Sequence, residues 1–555
     1  MEYTCRLCGL SFEITEQDLA FYDKISPVFN GKKYEIPSPT LCPDDRQRRR
    51  AAFRNERNLY RRKSDATGQE IISMFSPDKP FKVFESEYWW GDEWNPLDYG
   101  RDFDFSRSFF EQFRELQLKV PRLALFNYQS ENSYYTNHAG KNRNCYMGFD
   151  LGDCEDVYYS NWVTYSKDCV DCSYTHYGEL CYQCIYCVNC FNCDFCQECE
   201  QCSDLAFCFD CKGCRECFGC AGLRNKQHYV FNKSVSKEEY QKTIEQYAYS
   251  FDRQQAALEN FLKFRVQASH RFARMVGSEG CSGDYIYNSK NALFCFDAVN
   301  LWDCKYCYNT LDTKNGYDCY QPGFEPNEFI YEVHAGNRIS NSKFMHMCRN
   351  VNDCMYCDSC FDSHDLFGGV GIKRGSYCIL NKQYSKEEYE DIVPRIIESM
   401  SGRSEWGEFF PMSCSPFGYN ESKAQEYFPL VKEQAVKLGA LWSDYKPAVP
   451  EGNVVSIPDD IRYVDDSSLG CVFICNLSGK AFKLVKQELE FYRKKKLPVP
   501  HYHPDVRYHE RMKLRNPRKL WNRACVRCGK EIETTYAPDR PEKVYCEQCY
   551  GREVY

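Results

Sequence analysis

The stretch CYQCIYCVNCFNCDFCQECEQCSDLAFCFDCKGCRECFGC, residues 181–220, sets a cysteine at every third position, with Leu205 as the single exception. Cys145, Cys154, Cys169 and Cys172 keep the same phase. A period of three belongs neither to a plain strand, which repeats every two residues, nor to a helix, which repeats every 3.6. It requires very short sides or polyproline-like corners. Aromatic residues and Asn/Asp alternate around the ladder, with Phe195, Phe207, Phe218 and Tyr229 recurring at intervals of eleven or twelve. Short extended segments punctuated in this way predict a β-solenoid whose coils stack their inner residues.

Two chemistries explain such a ladder. Soft thiolates at C-x2-C spacing can load zinc, copper or iron–sulfur clusters. Free cysteine is also a small, buried hydrophobe. An internal repeat separates them. Residues 179–240 align with 328–389 at a constant offset of 149, with 18 of 62 positions identical, among them Glu179/Glu328, Phe195/Phe344, Cys199/Cys348, Asp204/Asp353 and Phe218/Phe367. In the second copy the ladder positions carry Ile330, Val333, Ile339, Val351 and Leu366 beside Cys348, Cys354, Cys357 and Cys360. A metal site does not survive as Ile, Val and Leu, whereas an inward core position does. Packing is the favoured reading, and the four cysteines 348, 354, 357 and 360 are the best place for a metal role.

Both copies end in Ser-Lys-Glu-Glu-Tyr, at 236–240 and 385–389. This is a capping box in which Ser caps a helix and the third residue on reaches back. The first helix is predicted to run through about 275. The second meets Pro394 early. The fold class expected is multi-domain α+β: a duplicated, cysteine-rich, β-solenoid-like body with capping helices, flanked by zinc ribbons. The expected organisation is a ribbon plus basic helix (1–65), an aromatic-rich connector (66–130), the first repeat (131–235), a long helix (236–280), the second repeat (281–384), a helical segment (385–442), a Pro-rich acidic linker (443–466), a degenerate ribbon plus basic helix (467–520) and a C-terminal ribbon (521–555). At 555 residues the chain suits about three or four domains.

Cys525-x2-Cys528 and Cys546-x2-Cys549 form two knuckles that supply four thiolates to one tetrahedral zinc. Four protein ligands leave no open position, so the expected role is structural. Cys5-x2-Cys8 is followed by Cys42-x2-Asp45, which offers Cys5, Cys8, Cys42 and Asp45 as a second zinc set, with a carboxylate in the fourth place. Zinc is therefore expected at two sites. A degenerate copy lies at 475–518, where Cys8 becomes Ser478, Cys42 becomes His503 and Asp45 becomes Val506. No tight zinc is expected there. A fainter echo occurs at Ser64-Asp-Ala-Thr67-Gly68, next to WWGDEW at 89–94, whose tryptophans are read as packing, with a docking surface as the alternative.

The segment CRLCGLSFEITEQDLAFYDKI…PTLCPDDRQRRR resembles the probable-zinc-ribbon-domain family, with its C-x2-C-G, following Phe, Phe-Tyr pair and C-P-x-C-R, over about 45 residues from the N-terminus. Asp45 departs from that pattern at the fourth ligand. The whole chain resembles cysteine-rich zinc-ribbon proteins of uncultivated small-genome bacteria. The resemblance implies zinc binding and supplies no activity.

The net charge of −8 conceals an asymmetry. Residues 46–63 hold nine Arg/Lys against one acid, and 507–523 hold seven against one, which leaves the remainder at −22. On a helix Arg46, Arg50, Arg54, Arg57 and Arg61 share a face, beside Arg48 and Arg49, and Arg507, Arg511, Arg515 and Arg518 repeat the arrangement. A line of guanidiniums can track phosphates, or it can pair with the acidic body. Nucleic acid is the expected partner, RNA over DNA because no groove-reading helix accompanies the arginines. A protein partner, or a thiol-based metal or redox buffer, is the alternative.

No phosphate-binding loop, dinucleotide fingerprint, nucleophile elbow or metalloprotease motif occurs. His138, His176, His228 and His364 read as packed or surface residues, and Asp204/Asp353 as turn residues. No catalytic residue is assigned. The expected function is a non-enzymatic zinc-binding scaffold. No apolar run is long enough to span a bilayer, and MEYTCRLCG lacks an export signal, so the expectation is a cytoplasmic protein with no membrane contact.

Overall fold

Over the described runs 138–183, 201–231, 285–321 and 329–380 every third residue adopts a left-handed backbone, and this is what produces the period of three. In the first repeat Asp150, Asp153 and Asp156 have φ of 55°, 53° and 53°, and the pattern continues through Tyr159, Trp162 and Tyr165. In the second, Asn300, Asp303, Tyr306 and Asn309 have φ between 49° and 57°. L-residues resist this conformation, and Asn and Asp tolerate it best. The Asn/Asp alternation around the ladder is therefore a corner code, and Asp204 and Asp353 (φ 54° and 52°) are corner residues. Ladder residues with a described predecessor, such as Cys145, Cys154, Cys181, Cys304 and Cys354, directly follow a corner and are buried.

Four such triplets bring the chain back alongside itself after twelve residues. Arg215 pairs in parallel with Gln227, Cys217 with Tyr229, Arg349 with Phe361 and Val351 with Ser363. The return lengthens to fourteen between Tyr320 and His334, so the two copies align at 147 before this point and 149 after it. The computed structural model describes residues 1–185, 199–323 and 325–554. Ladder residues Cys187, Cys190, Cys193 and Cys196, with Phe195, lie outside the described residues.

The chain is a mixed α/β protein with twelve α-helices and sheets of eight, four and twelve strands among the described residues. It divides into two units that are not contiguous in sequence: Met1–Ala124 with Ala273–Tyr445, and Leu125–Phe272 with Lys446–Tyr555. Each unit thus joins a ribbon region from one end of the chain to the repeat farther from it in sequence. The predicted linker contains the last crossing point, between Tyr445 and Lys446.

Two helices differ from expectation. The long helix is broken into Lys237–Tyr247 and Phe251–Gln267. Tyr249 turns left-handed (φ 71°), and Ser250 caps the second piece while donating to Asp459 Oδ2 at 2.6 Å. Conversely, Lys386–Gly402 runs straight through Pro394. The carbonyl that Pro394 leaves without its helical donor is that of Glu390, and Asn30 Nδ2 supplies the hydrogen bond at 3.1 Å. Both capping boxes form as read, with Ser236–Glu239 and Ser385–Glu388 bonding reciprocally.

Candidate metal centres and the arginine helices

The C-terminal ribbon is built from a strand, a knuckle and a hairpin. Trp521–Ala524 pairs antiparallel with Glu531–Thr534. Between them Cys525 N–H donates to Lys530 O (2.8 Å) and Gly529 N–H to Cys525 O (2.9 Å). Gly529 sits at φ 71°, the conformation that the C-x2-C-G turn requires. After the strand Lys543–Tyr545 comes Cys546, and Cys549 lies in the first turn of the helix Glu547–Val554. The four sulfurs lie within 4.8 Å of one another and can hold a metal ion. Burial alone pushes the Cys525 thiol up, but the backbone amides of Cys546, Cys528 and Arg527 outweigh it and hold the group down to about 6. Burial and its three sulfur neighbours push Cys549 up to about 12. Four thiolates at this spacing repel, and a bound divalent cation removes that conflict.

The N-terminal cluster is equally convergent. Cys5, Cys8, Cys42 and Asp45 present their donor atoms within 4.8 Å. Cys5 Sγ donates to Asp45 Oδ2 at 3.1 Å, and Cys42 Sγ lies 3.5 Å from the same oxygen. Arg48 holds the other carboxylate oxygen at 2.5 Å. Asp45, the carboxylate in the fourth place, is therefore buried and aimed at the three thiols. In the degenerate copy His503 accepts from Asp505 N–H through Nδ1 at 3.1 Å and caps the helix Pro504–Lys513.

Among the described residues the ladder thiols are buried in the repeat interiors, and many bond to the backbone. Cys154 Sγ donates toward Gly152 O (3.4 Å) and Val163 O (3.3 Å), and Cys307 Sγ toward Lys305 O (3.5 Å) and Gly316 O (3.3 Å). Ser342 makes the same bond to Ser340 O at 2.8 Å, and accepts from Cys354 N–H at 3.1 Å. Ile330, Val333, Ile339 and Val351 fill the equivalent interior among Cys348, Cys354, Cys357 and Cys360. Among the described residues, the groups of three or more ligand-type side chains that converge as metal sites do are the two ribbon clusters. Every described cysteine is a free thiol.

Six of the expected phosphate-binding arginines, Arg46, Arg49, Arg50, Arg54, Arg507 and Arg511, are buried and require correction. The helix Pro43–Ala51 buries its basic face against the second repeat, and Arg46, Arg50 and Arg54 are at most 2% exposed. Arg46 Nε lies 2.9 Å from Asp318, Arg50 bridges Asp318 (2.9 Å) and Glu332 (2.6 Å), and Arg49 bridges Glu332 (2.8 Å) and Glu408 (2.6 Å). Three cations thus meet three carboxylates. Arg54 pairs with Glu56 at 2.5 Å. The second unit repeats the device: Arg507 and Arg511 each reach Asp171 at 2.8 Å, and Arg507 also reaches Glu488 at 3.1 Å. Asp171 and Asp318 are the same position, 147 residues apart. The rings around them also correspond. Arg46 lies over Tyr306 and Arg507 over Tyr159, while Tyr22 packs on Tyr331 and Tyr492 on Tyr182. Arg515 stacks over Tyr174 and Arg518 donates to its hydroxyl. Arg48, Arg57 and Arg61 lie nearer the surface, with Arg61 exposed on the strand Tyr60–Lys63. The alternative reading, pairing with the acidic body, describes the buried arginines.

Trp89 is fully buried and packs with Trp90 on Phe361, its Nε1 donating to Pro121 O at 3.0 Å, so Trp89 is packing, while Trp90 is 37% exposed. No described helix is long and apolar enough to cross a membrane. A scan of protein-family models finds no match to this chain, and a search of curated proteins finds none either.

Proposed function

We propose that this chain is a non-enzymatic, zinc-structured scaffold that works by presenting rigid surfaces to a protein partner. The Cys525/Cys528/Cys546/Cys549 tetrad carries the reading: four convergent sulfurs are a closed site, suited to zinc and to holding a fold, with no position left for substrate. Cys5, Cys8, Cys42 and Asp45 form the second zinc site. The two repeats are read as β-solenoids, supported by parallel pairing every twelve residues. The resemblance to cysteine-rich zinc-ribbon proteins points the same way, and free thiols at every described cysteine suit the reducing cytoplasm.

Protein is favoured over RNA because Arg46, Arg49, Arg50, Arg507 and Arg511 already have their charge matched by Asp318, Glu332, Glu408, Asp171 and Glu488. The test is fluorescence anisotropy with labelled single-stranded and duplex RNA between 50 and 200 mM salt (about the range over which phosphate contacts weaken), alongside affinity capture with and without nuclease. The scaffold reading expects no RNA binding and a discrete partner that resists nuclease. Salt-dependent RNA binding, or capture abolished by nuclease, overturns it.

A further inference from the structure

Residues 60–90 reproduce the C-terminal ribbon at an offset of 461. Arg62/Arg523, Gly68/Gly529, Glu70/Glu531, Ile71/Ile532, Pro77/Pro538, Asp78/Asp539, Pro80/Pro541, Lys82/Lys543 and Val83/Val544 are identical pairs. The elements coincide. Tyr60–Lys63 pairs antiparallel with Glu70–Ser73 as Trp521–Ala524 does with Glu531–Thr534. Val83–Phe84 and Lys543–Tyr545 each pair in parallel with a short strand, Arg122–Leu123 in one case and Ser269–Arg271 in the other, that precedes a repeat.

The turn between the strands is the same knuckle. Ser64 N–H donates to Gln69 O (2.8 Å) and Gly68 N–H to Ser64 O (3.0 Å), with Gly68 at φ 75° against 71° for Gly529. Side chains agree as well. Arg62 reaches the carbonyls of Ser76 and Phe81, and Arg523 reaches those of Ala537 and Glu542, which are the corresponding positions. Cys525, Cys528, Cys546 and Cys549 map onto Ser64, Thr67, Glu85 and Tyr88.

We propose that residues 60–90 are a fourth ribbon that has exchanged its ion for hydrogen bonds, and that positions 64, 67, 85 and 88 remain a latent site for a zinc-like divalent cation. Ser64 Oγ donates to Glu85 Oε2 across the place where the ion would lie. The same oxygen accepts from Ala66 N–H (3.1 Å) and Thr67 N–H (3.4 Å), the bonds that a metal-bound knuckle sulfur takes. Each unit then carries two ribbons, one with four convergent ligands and one stripped: 5/8/42/45 with 64/67/85/88, and 525/528/546/549 with 475/478/503/506.

The inference rests on the reading that the C-terminal ribbon holds zinc, and the test separates the two. Zinc per chain is measured for the wild type and for the S64C/T67C/E85C/Y88C variant, both purified anaerobically with zinc supplied. The wild-type count tests the ribbon reading. The difference tests this one, with one additional ion expected in the variant. No gain in a variant with wild-type near-ultraviolet circular dichroism overturns it. If the variant does not fold, Ser64→Ala in the wild type decides. It is expected to speed amide exchange at Ala66 and Thr67 by about tenfold with zinc content unchanged. Unchanged exchange at both overturns the proposal.

Discussion

Arg50→Ala tests whether the basic helices are internal locks. Arg50 is fully buried between Asp318 and Glu332, and with Arg46, Arg49 and Glu408 it completes a set of three cations and three carboxylates. Removing it leaves one buried negative charge unmatched, since Arg46 and Arg49 remain as partners. Breaking a buried pair from one side costs about 3–5 kcal/mol, while an exposed pair is worth less than about 1 kcal/mol. The unfolding equilibrium of the unit formed by 1–124 and 273–445 should therefore shift by roughly two to three and a half orders of magnitude. Urea unfolding followed by tryptophan fluorescence reads it, because Trp89, Trp90, Trp94, Trp302, Trp406 and Trp442 lie in that unit and Trp162 and Trp521 in the other. Arg50→Met combined with Asp318→Asn restores the charge balance and should recover part of the loss. A loss below about 1 kcal/mol for Arg50→Ala refutes the reasoning, for that is the value of a solvent-exposed arginine.

Other outcomes follow from the same contacts. Cys172→Ser should cost little, because Ser160 and Ser342 already make the inward bond to the carbonyl two residues back, whereas Cys172→Asp should unfold the first repeat; thermal melts of the two variants check this. Native protein treated with iodoacetamide should be labelled at Cys8 and Cys528, the exposed cysteines among the described residues, once a chelator is added, and the buried ladder thiols, such as Cys172, Cys217, Cys307 and Cys357, should stay unlabelled until denaturant is present, as read by peptide mass spectrometry. Burial pushes the Asp358 carboxyl up, but Arg122 and His346 outweigh it and hold the group far below the usual carboxylate range. Its depressed value makes its stabilisation complete above the unfolded pKa of about 4 and progressively lost as pH falls below it. Asp358→Asn should therefore destabilise at pH 7, and the difference from wild type should shrink in acid.

The metal clusters were legible because ligand spacing is local: two C-x2-C knuckles need only a hairpin between them. The inward ladder was legible because the second copy substitutes Ile and Val at the same positions. The origin of the period of three was visible as Asn/Asp alternation but not as a corner code, since left-handed backbone at every third residue belongs to no ordinary strand. The destination of the arginines was not legible. Guanidiniums four residues apart suit phosphates and carboxylates alike, and the deciding residues, Asp318 and Asp171, lie 272 and 336 positions away in sequence. For the same reason nothing local announced that 1–124 joins the second repeat and 446–555 the first. The break at Tyr249–Ser250 depends on Asp459, equally remote.

The central claim is that metal belongs to the ribbons and that the ladders are core. Element-resolved mass spectrometry of untagged protein, purified anaerobically without chelator, tests it most directly. The account predicts about two zinc ions per chain, falling by one when Cys525 and Cys528 are both replaced by serine. About six or more ions per chain, or iron or copper with visible absorption, would contradict it and place the metal in the ladders themselves.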